Sequence, residues 1–398
     1  MTLRSREEAW ALIAERARAL EPETVPLAAA AGRVAAEDVP SPIDIPGFDR
    51  SAMDGYAVRA AETSSPPTRL PVDGEVAAGD TGEAPLQPGT VRRIFTGGPL
   101  PAGADAVERQ EVVEVHEDGT VTVDHAVRSG QNVRYRGEDA PKGTVLLRAG
   151  QRVTAQALTV LAGAGCAELS VHRAPRVAIL STGDELVPAG RPLGPGQIHE
   201  SNGVALRVLV ESAGARVLDL GIAPDDPQEI EDRIRFGLAE ADVLLVAGGV
   251  SVGEHDHAKG ALDRAGVEEL FWRVRIKPGK PLFAGITSGG RWAFGLPGNP
   301  LSGIVAFLVF VEPLLRRMAG EADAVERRVK LRTTTEIAPE DGRTTYLTAT
   351  LDGLDATPTE AQGSAMTLAL ARADAFIVAP HQSPSVPAGG EVEGLLLG

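Results

Sequence analysis

The chain has 398 residues, of which 43% are apolar and 24% charged, proportions that exclude a disordered or collagen-like chain. With 39 basic and 55 acidic residues the net charge is −16, and no basic run exceeds two residues, which excludes nucleic-acid binding through a broad basic face. The length exceeds what one core usually supports, so several domains are expected.

In chain order, Ala9, Leu12, Ile13, Ala17 and Leu20 fall on one face of a helix spanning Ser5 to Leu20. Pro22, Pro26, Pro40, Pro42 and Pro46 then mark a strand-poor connector. From Phe48 to Val127 short runs such as Gly55 to Val58, Arg92 to Phe95 and Thr120 to Val123 alternate with Gly, Pro and Asp turns, a β-rich pattern. A second helix is predicted from Thr154 to Gly165. Lone Cys166 follows it and can form no internal disulfide or thiolate cluster.

Beyond Arg173 strands and helices alternate. Val177 to Leu180 and Val243 to Ala247 read as buried strands. Ser201 or Asn202 suits the cap of a helix carrying Ala205, Val208 and Leu209. Strand Val217 to Leu220 precedes Asp226, a helix cap, and Pro227, suited to the first helical position. Another helix, strands at Glu269 to Ile276 and Trp292 to Leu296, and a helix from Leu301 to Met318 complete the series. This order predicts a doubly wound, mostly parallel α/β domain. From Val329 to the end short β runs return, as in a small barrel or sandwich. The longest apolar run, Gly303 to Val311, is too short to cross a bilayer, and the first residues lack the apolar stretch of a signal peptide. A cytoplasmic protein is expected.

In an open α/β sheet ligands gather at the carboxyl ends of strands. Three strand ends here carry unusual loops: Ser181-Thr-Gly-Asp-Glu-Leu186, Gly248-Gly-Val-Ser-Val-Gly-Glu-His-Asp256 and Leu296-Pro-Gly-Asn-Pro300. Their glycines permit positive φ, so backbone amides can cradle an anion. Only five of the basic residues are Lys, yet Lys277 and Lys280 lie with Arg273 and Arg275 in eight positions, and Pro278 and Pro281 stiffen the turn at Gly279. Such a local positive focus attracts an oxyanion to an acidic protein.

Carboxylates recur on turn-like loops at Asp54, Asp139, Glu185, Asp225 and Asp256, residue types that hold Mg²⁺ beside a phosphate, although a single Asp in a turn is more often a cap. His255 and His257 flank Asp256, but two His without a third ligand do not make a zinc site. Strand-end Ser181 and Ser251 lack an identifiable base, and no dinucleotide fingerprint ends a strand.

Seven segments together resemble one family. They are Asp44 to Ala57 (DIPGFDRSAMDGYA), Thr96 to Ala106 (TGGPLPAGADA), Gln131 to Asp139 (QNVRYRGED), Ser181 to Glu185, Gly248 to Asp256, Ile276 to Pro281 (IKPGKP) and Leu296 to Pro300. The pattern is similar to the molybdopterin molybdenumtransferases (MoeA), which include the E domain of gephyrin. The resemblance implies an elongated homodimer with four domains per chain: 1–46 with 137–172 as a mixed helical linker and dimerisation domain, an inserted β-rich domain at 47–136, a molybdopterin-binding α/β domain at 173–322, and a C-terminal β barrel at 323–398. It also implies transfer of molybdenum from molybdate to adenylated molybdopterin, with release of AMP and help from Mg²⁺. The cleft would lie between domains of the two subunits, and other proteins of molybdenum-cofactor biosynthesis would be further partners.

By motif position the family's acidic residues fall on Asp54, Asp139, Glu185, Asp225 and Asp256, with Glu185, Asp225 and Asp256 as the expected metal ligands. Thr96, Ser251, Arg273, Lys277, Lys280, Arg343 and Ser364 are the expected substrate contacts, and Pro297 and Pro300 flank the expected molybdate position. Two departures stand out. Arg273 follows Trp272 where many members have Lys, and Thr367-Leu-Ala369 replaces a familiar hydroxyl pair after Ser364. Tungstate insertion and a non-catalytic cofactor-binding scaffold are the alternative readings.

Overall fold

Residues apolar at every position suit a strand covered on both faces, and Val177 to Leu180 and Val243 to Ala247 are such strands. In the computed structural model, which describes residues 3–249, 257–322, 324–338, 340, 342–381 and 383–397, they lie at the centre of a six-stranded sheet. Arg216–Ala223, Arg176–Thr182, Val243–Ala247 and Trp292–Leu296 run parallel in that order, and Phe283–Thr287 and Val267–Trp272 continue it antiparallel. Alternate side chains of each strand enter different cores. Val177 and Ile179 pack with Leu206 and Val210 of helix Asn202–Ser212, while Ala178 and Leu180 pack with Ile230 and Ile234 of helix Pro227–Glu240. The central unit is doubly wound and mostly parallel, as its sequence order predicts.

Asp226 accepts from the amides of Gln228 (2.9 Å) and Glu229 (2.8 Å), with Pro227 in the first turn, so it is a cap. The last helix departs from a plain α-helix. Pro300–Ala306 and Glu312–Met318 are α-helical, and Phe307–Val311 between them is π-helical. Pro313 has no amide to donate, so one backbone bond of the regular ladder is missing beside this wider turn.

The structure corrects three local readings. The expected connector at Pro22 is a strand, Pro22–Pro26, paired antiparallel with Glu168–His172. A two-stranded ribbon tolerates proline because only one edge of each strand must donate. Phe283–Thr287 is a further strand not anticipated from sequence. The run Glu269 to Ile276 is not one strand: Val267–Trp272 ends at Arg273, whose φ is 75°, and Ile276–Lys277 joins a different sheet.

That different sheet is C-terminal. Ile276–Lys277 pairs parallel with the start of Thr344–Asp352, and Thr344–Asp352 also pairs with Ala375–Ala379, which closes five strands into a barrel. The first helix, Arg6–Arg16, is shorter than predicted. Ser5 and Glu8 form a reciprocal capping box, and Ala9 and Ile13 enter the central core. The β-rich region forms its own six-stranded sheet around Val58, Val91, Val121 and Val123. No helix among the described residues is long and apolar enough to cross a membrane.

Two buried carboxylates fasten these parts. Asp242, only 3% exposed, accepts from Arg173 Nη1 (2.8 Å), Arg291 Nη1 (2.5 Å) and the Arg176 amide (2.9 Å), tying the chain entering the central sheet to two of its strands. Burial pushes this carboxyl up, but the Arg173 bonds and the Arg176 amide outweigh it and leave it below its usual value. Glu108, 1% exposed in the β-rich sheet, meets His125 Nε2 at 2.9 Å and Gln131 Nε2 at 2.6 Å. Hydrogen bonds to Asp124 and then to Glu108 raise the His125 pKa above its ordinary 6.5. Because the folded value is the higher one, this stabilisation is complete below pH 6.5 and declines as pH rises through the raised value. Between about pH 6 and about pH 9 the melting temperature of the wild type should therefore fall more than that of His125→Gln; parallel curves would show that the pair does not contribute.

Candidate functional site

The parallel strands deliver their carboxyl ends to one edge of the central sheet, and the described parts of the unusual loops meet there. A hollow of about 810 Å³ is lined by Thr182, Gly183 and Glu185 after the first strand, Asp225 after the second, Gly248 and Gly249 after the third, and Pro297 to Pro300 after the fourth. Asp225 is locked to the neighbouring loop by reciprocal bonds: its amide donates to Asp184 Oδ1 (3.0 Å), and the Asp184 amide donates to Asp225 Oδ2 (3.4 Å). Gly248 and Gly249 have φ of 99° and 64°, and a Cβ on Gly249 would lie 3.0 Å from Thr182 Oγ1. Their backbone approaches closely because no side chain intervenes.

A second hollow, of about 450 Å³, adjoins the first and shares Pro281, Pro297 and Asn299 with it. Lys277, Lys280 and Arg343 bring cations to it, and Glu340 contributes a carboxylate. Gly279 (φ 112°) makes the turn between the two lysines, where a Cβ would meet Ile276 at 2.8 Å. Asn299 Nδ2 donates to Ser364 Oγ (3.0 Å), bridging the central sheet's loop to the C-terminal region. Thr345, 4% exposed, also lines this hollow, while its hydroxyl is itself buried and has no hydrogen-bond partner among the described residues. A third hollow, about 640 Å³, shares Gly183, Leu186 and Glu200 with the first, and its walls include Ile179, Val204, Ile222 and Pro224.

The structure thus brings together Glu185, Asp225, Pro297 and Pro300 in one hollow and Lys277, Lys280, Arg343, Ser364 and Pro297 in its neighbour. Asp54, Thr96 and Asp139 line neither. Asp54 accepts from the Thr96 amide (2.7 Å) and hydroxyl (2.9 Å), bonds that hold its carboxyl below the usual value. Arg273 lies outside both hollows and stacks over Trp272, 4.4 Å from the ring centroid. Ser251, His255 and Asp256 lie outside the described residues.

Sequence reasoning passed over Glu200 and Glu340. Ser201 occupies the cap position of helix Asn202–Ser212 without a side-chain bond. Glu200 serves instead, its Oε1 accepting from the Gly203 amide (2.5 Å) and from Ser181 Oγ (3.1 Å). The acidic residue before Ser201 and Asn202 was the available signal, masked by two better cap formers. Ser181, 3% exposed, is thereby engaged as a donor within the sheet edge.

Among the described residues no three His, Cys, Asp or Glu side chains converge as a metal cage. Glu185 and Asp225 on one hollow nevertheless fit Mg²⁺, which is usually held by one or two carboxylates together with water and substrate phosphate.

The fold and site define a doubly wound α/β protein whose strand ends, where ligands of such sheets bind, set carboxylates beside a cationic recess suited to an anion. Comparison with known proteins gives the family. Residues 4–165 match the MoeA N-terminal region (domain I and II), residues 178–317 a probable molybdopterin binding domain, and residues 330–397 the MoeA C-terminal region (domain IV). The molybdopterin molybdenumtransferase of Haemophilus influenzae is 42% identical over 75% of this chain and 73% of its own length. Molybdopterin molybdenumtransferase 2 of Mycobacterium tuberculosis is 39% identical over 88% of each. The solved molybdopterin biosynthesis MoeA protein of Pyrococcus horikoshii superposes with a TM-score of 0.87 at 31% identity, covering 99% of this chain and 100% of that one. The chain belongs to the MoeA family.

Thr182, 5% exposed, lines the first hollow with a hydroxyl that has no partner among the described residues. A buried, unpartnered hydroxyl is costly, so Thr182→Val should raise the unfolding free energy by about 1 kcal/mol in urea titration. A lower midpoint in the variant would show that the hydroxyl is bonded in the folded protein.

Proposed function

We propose that this chain is a molybdopterin molybdenumtransferase, taking molybdenum from molybdate, inserting it into adenylated molybdopterin and releasing AMP. The observation that carries this reading is the contact of two unlike hollows at Pro281, Pro297 and Asn299, one rich in cations and the other in carboxylates. The cationic hollow suits a tetrahedral dianion, and the carboxylate hollow suits a metal-bound phosphoanhydride.

Lys277, Lys280 and Arg343 neutralise molybdate, with Ser364 as a hydroxyl contact and Pro297 and Pro300 shaping the loop beside it. Glu185 and Asp225 would hold Mg²⁺, which when bound polarises the phosphoanhydride and stabilises the departing AMP. Asp184 fixes the loop that presents Asp225. The third hollow, continuous with the first through Gly183, Leu186 and Glu200, sets apolar walls at Ile179, Val204, Ile222 and Pro224 beside Asp184, Arg207 and Asp219, a mixed lining that suits a flat heterocycle with polar edges. The dithiolene sulfurs of the pterin supply the ligands molybdenum gains, so a chain with one Cys suffices for the transfer. Ser251, Asp256 and Arg273 remain candidate contacts by motif. The placement of Asp54, Thr96 and Asp139 away from both hollows supports a homodimer in which another subunit's β-rich region completes each cleft. A cytoplasmic location accords with this biosynthetic role.

Purified protein should release AMP from adenylated molybdopterin only when molybdate and Mg²⁺ are both supplied; release indifferent to molybdate would sink the reading. Asp54→Ala and Asp225→Ala should each abolish most turnover while leaving the melting temperature within a few degrees. If the cleft is shared between subunits, mixing the two variants by co-expression should restore about a quarter of wild-type activity, because half the dimers would then carry one intact site. No recovery in confirmed mixed dimers would place both residues in one subunit's site.

A further inference from the structure

The cationic hollow already contains an anion belonging to the chain. Glu340 Oε1 is in contact with Lys277 Nζ, and Glu340 Oε2 lies 3.8 Å from Arg343 Nη2. All three residues line the hollow together with Lys280. We propose that Glu340 is a displaceable internal counter-ion, competing with the incoming tetrahedral oxyanion for Lys277 and Arg343 and so setting its affinity. The inference rests on the oxyanion role given to this hollow above.

The anchoring of the charges is unequal. Lys277 is fixed by the pairing of Ile276 with Thr344 and of Lys277 with Thr345, and Arg343 immediately precedes that ladder. Both cations are therefore held where barrel and central unit join. Glu340 lies outside the strand, and among the described residues its carboxylate is engaged by Lys277 and Arg343. Its side chain is 42% exposed, against 41% for Lys277 and 37% for Arg343. Ion pairs so open to water are weak, which makes the carboxylate easy to exchange for a stronger ligand.

Charge and shape favour that exchange. A carboxylate is a planar monoanion with two acceptor oxygens, whereas molybdate is a dianion with four. The dianion can be shared among Lys277, Lys280 and Arg343, while Glu340 reaches only two of them. With Glu340 in place the hollow keeps its cations partly neutralised, so any oxyanion that enters must displace a tethered carboxylate, which weakens every such ligand by the same factor. Glu340 thus sets affinity, and the choice among oxyanions is left to the other donors of the hollow.

Titration calorimetry with sodium molybdate, and separately with sodium sulfate, on the wild type and Glu340→Gln tests this. Glutamine keeps the shape and removes the charge. The variant should bind molybdate at least about threefold more tightly, with the gain shrinking as salt rises, and sulfate should gain by a similar factor. Equal or weaker molybdate binding by the variant, with its melting temperature unchanged, overturns this inference and leaves the proposed function standing. Absence of molybdate binding in both proteins, folded by circular dichroism, overturns the two together.

Discussion

Burial of the central sheet on both faces is the constraint from which the site follows. Helices Asn202–Ser212 and Pro227–Glu240 cover opposite faces, which directs a ligand to the strand ends. Because four neighbouring strands run parallel, their carboxyl ends share one edge, and the loops after Thr182, Ala223, Ala247 and Leu296 meet there whatever their order in the chain. Gly248, Gly249 and Gly279 then let backbone approach where a side chain would obstruct it. The chemistry is supplied by loops, and the sheet decides that those loops are neighbours.

Two opposite electrostatic environments sit against each other at Pro281, Pro297 and Asn299. The protein as a whole is acidic, and its few lysines make the pairing of Lys277 with Lys280 on one recess effective as a focus for anions. The other recess carries Glu185 and Asp225, the carboxylates proposed above to hold a cation. A substrate joining an oxyanion acceptor to a phosphoanhydride needs both environments within one molecule's length.

Much of the fold was legible because its central strands are uniformly apolar and its helices announce their starts, as at Asp226-Pro227. The misread segments are those where tertiary pairing overrides local pattern. Pro22–Pro26 carries two prolines yet pairs with Glu168–His172, and nothing local distinguishes Ile276–Lys277 from the strand before it. The left-handed backbone at Arg273 that separates them depends on context, because Arg has no preference for it. At the site, glycine-rich loops and the lysine pair were readable as residue types with a purpose. Glu340 was not: it stands three residues before Arg343 without a pattern of its own, and it meets Lys277 because the barrel returns it from 63 positions away. Arg273 shows the reverse: a basic residue inside a telling segment that the turn directs onto Trp272.

The short pairing of Ile276–Lys277 with the C-terminal barrel makes one stave of that sheet come from the middle of the polypeptide. Cutting the chain ahead of Arg328 would therefore yield no clean pair of independent modules. The downstream fragment would present the bare backbone of Thr344 and Thr345, an unsatisfied margin of the kind that recruits stray strands. Evolutionary shuffling of the barrel as a portable cassette faces the same obstacle, and this seam explains why the halves of such a chain would be inherited together.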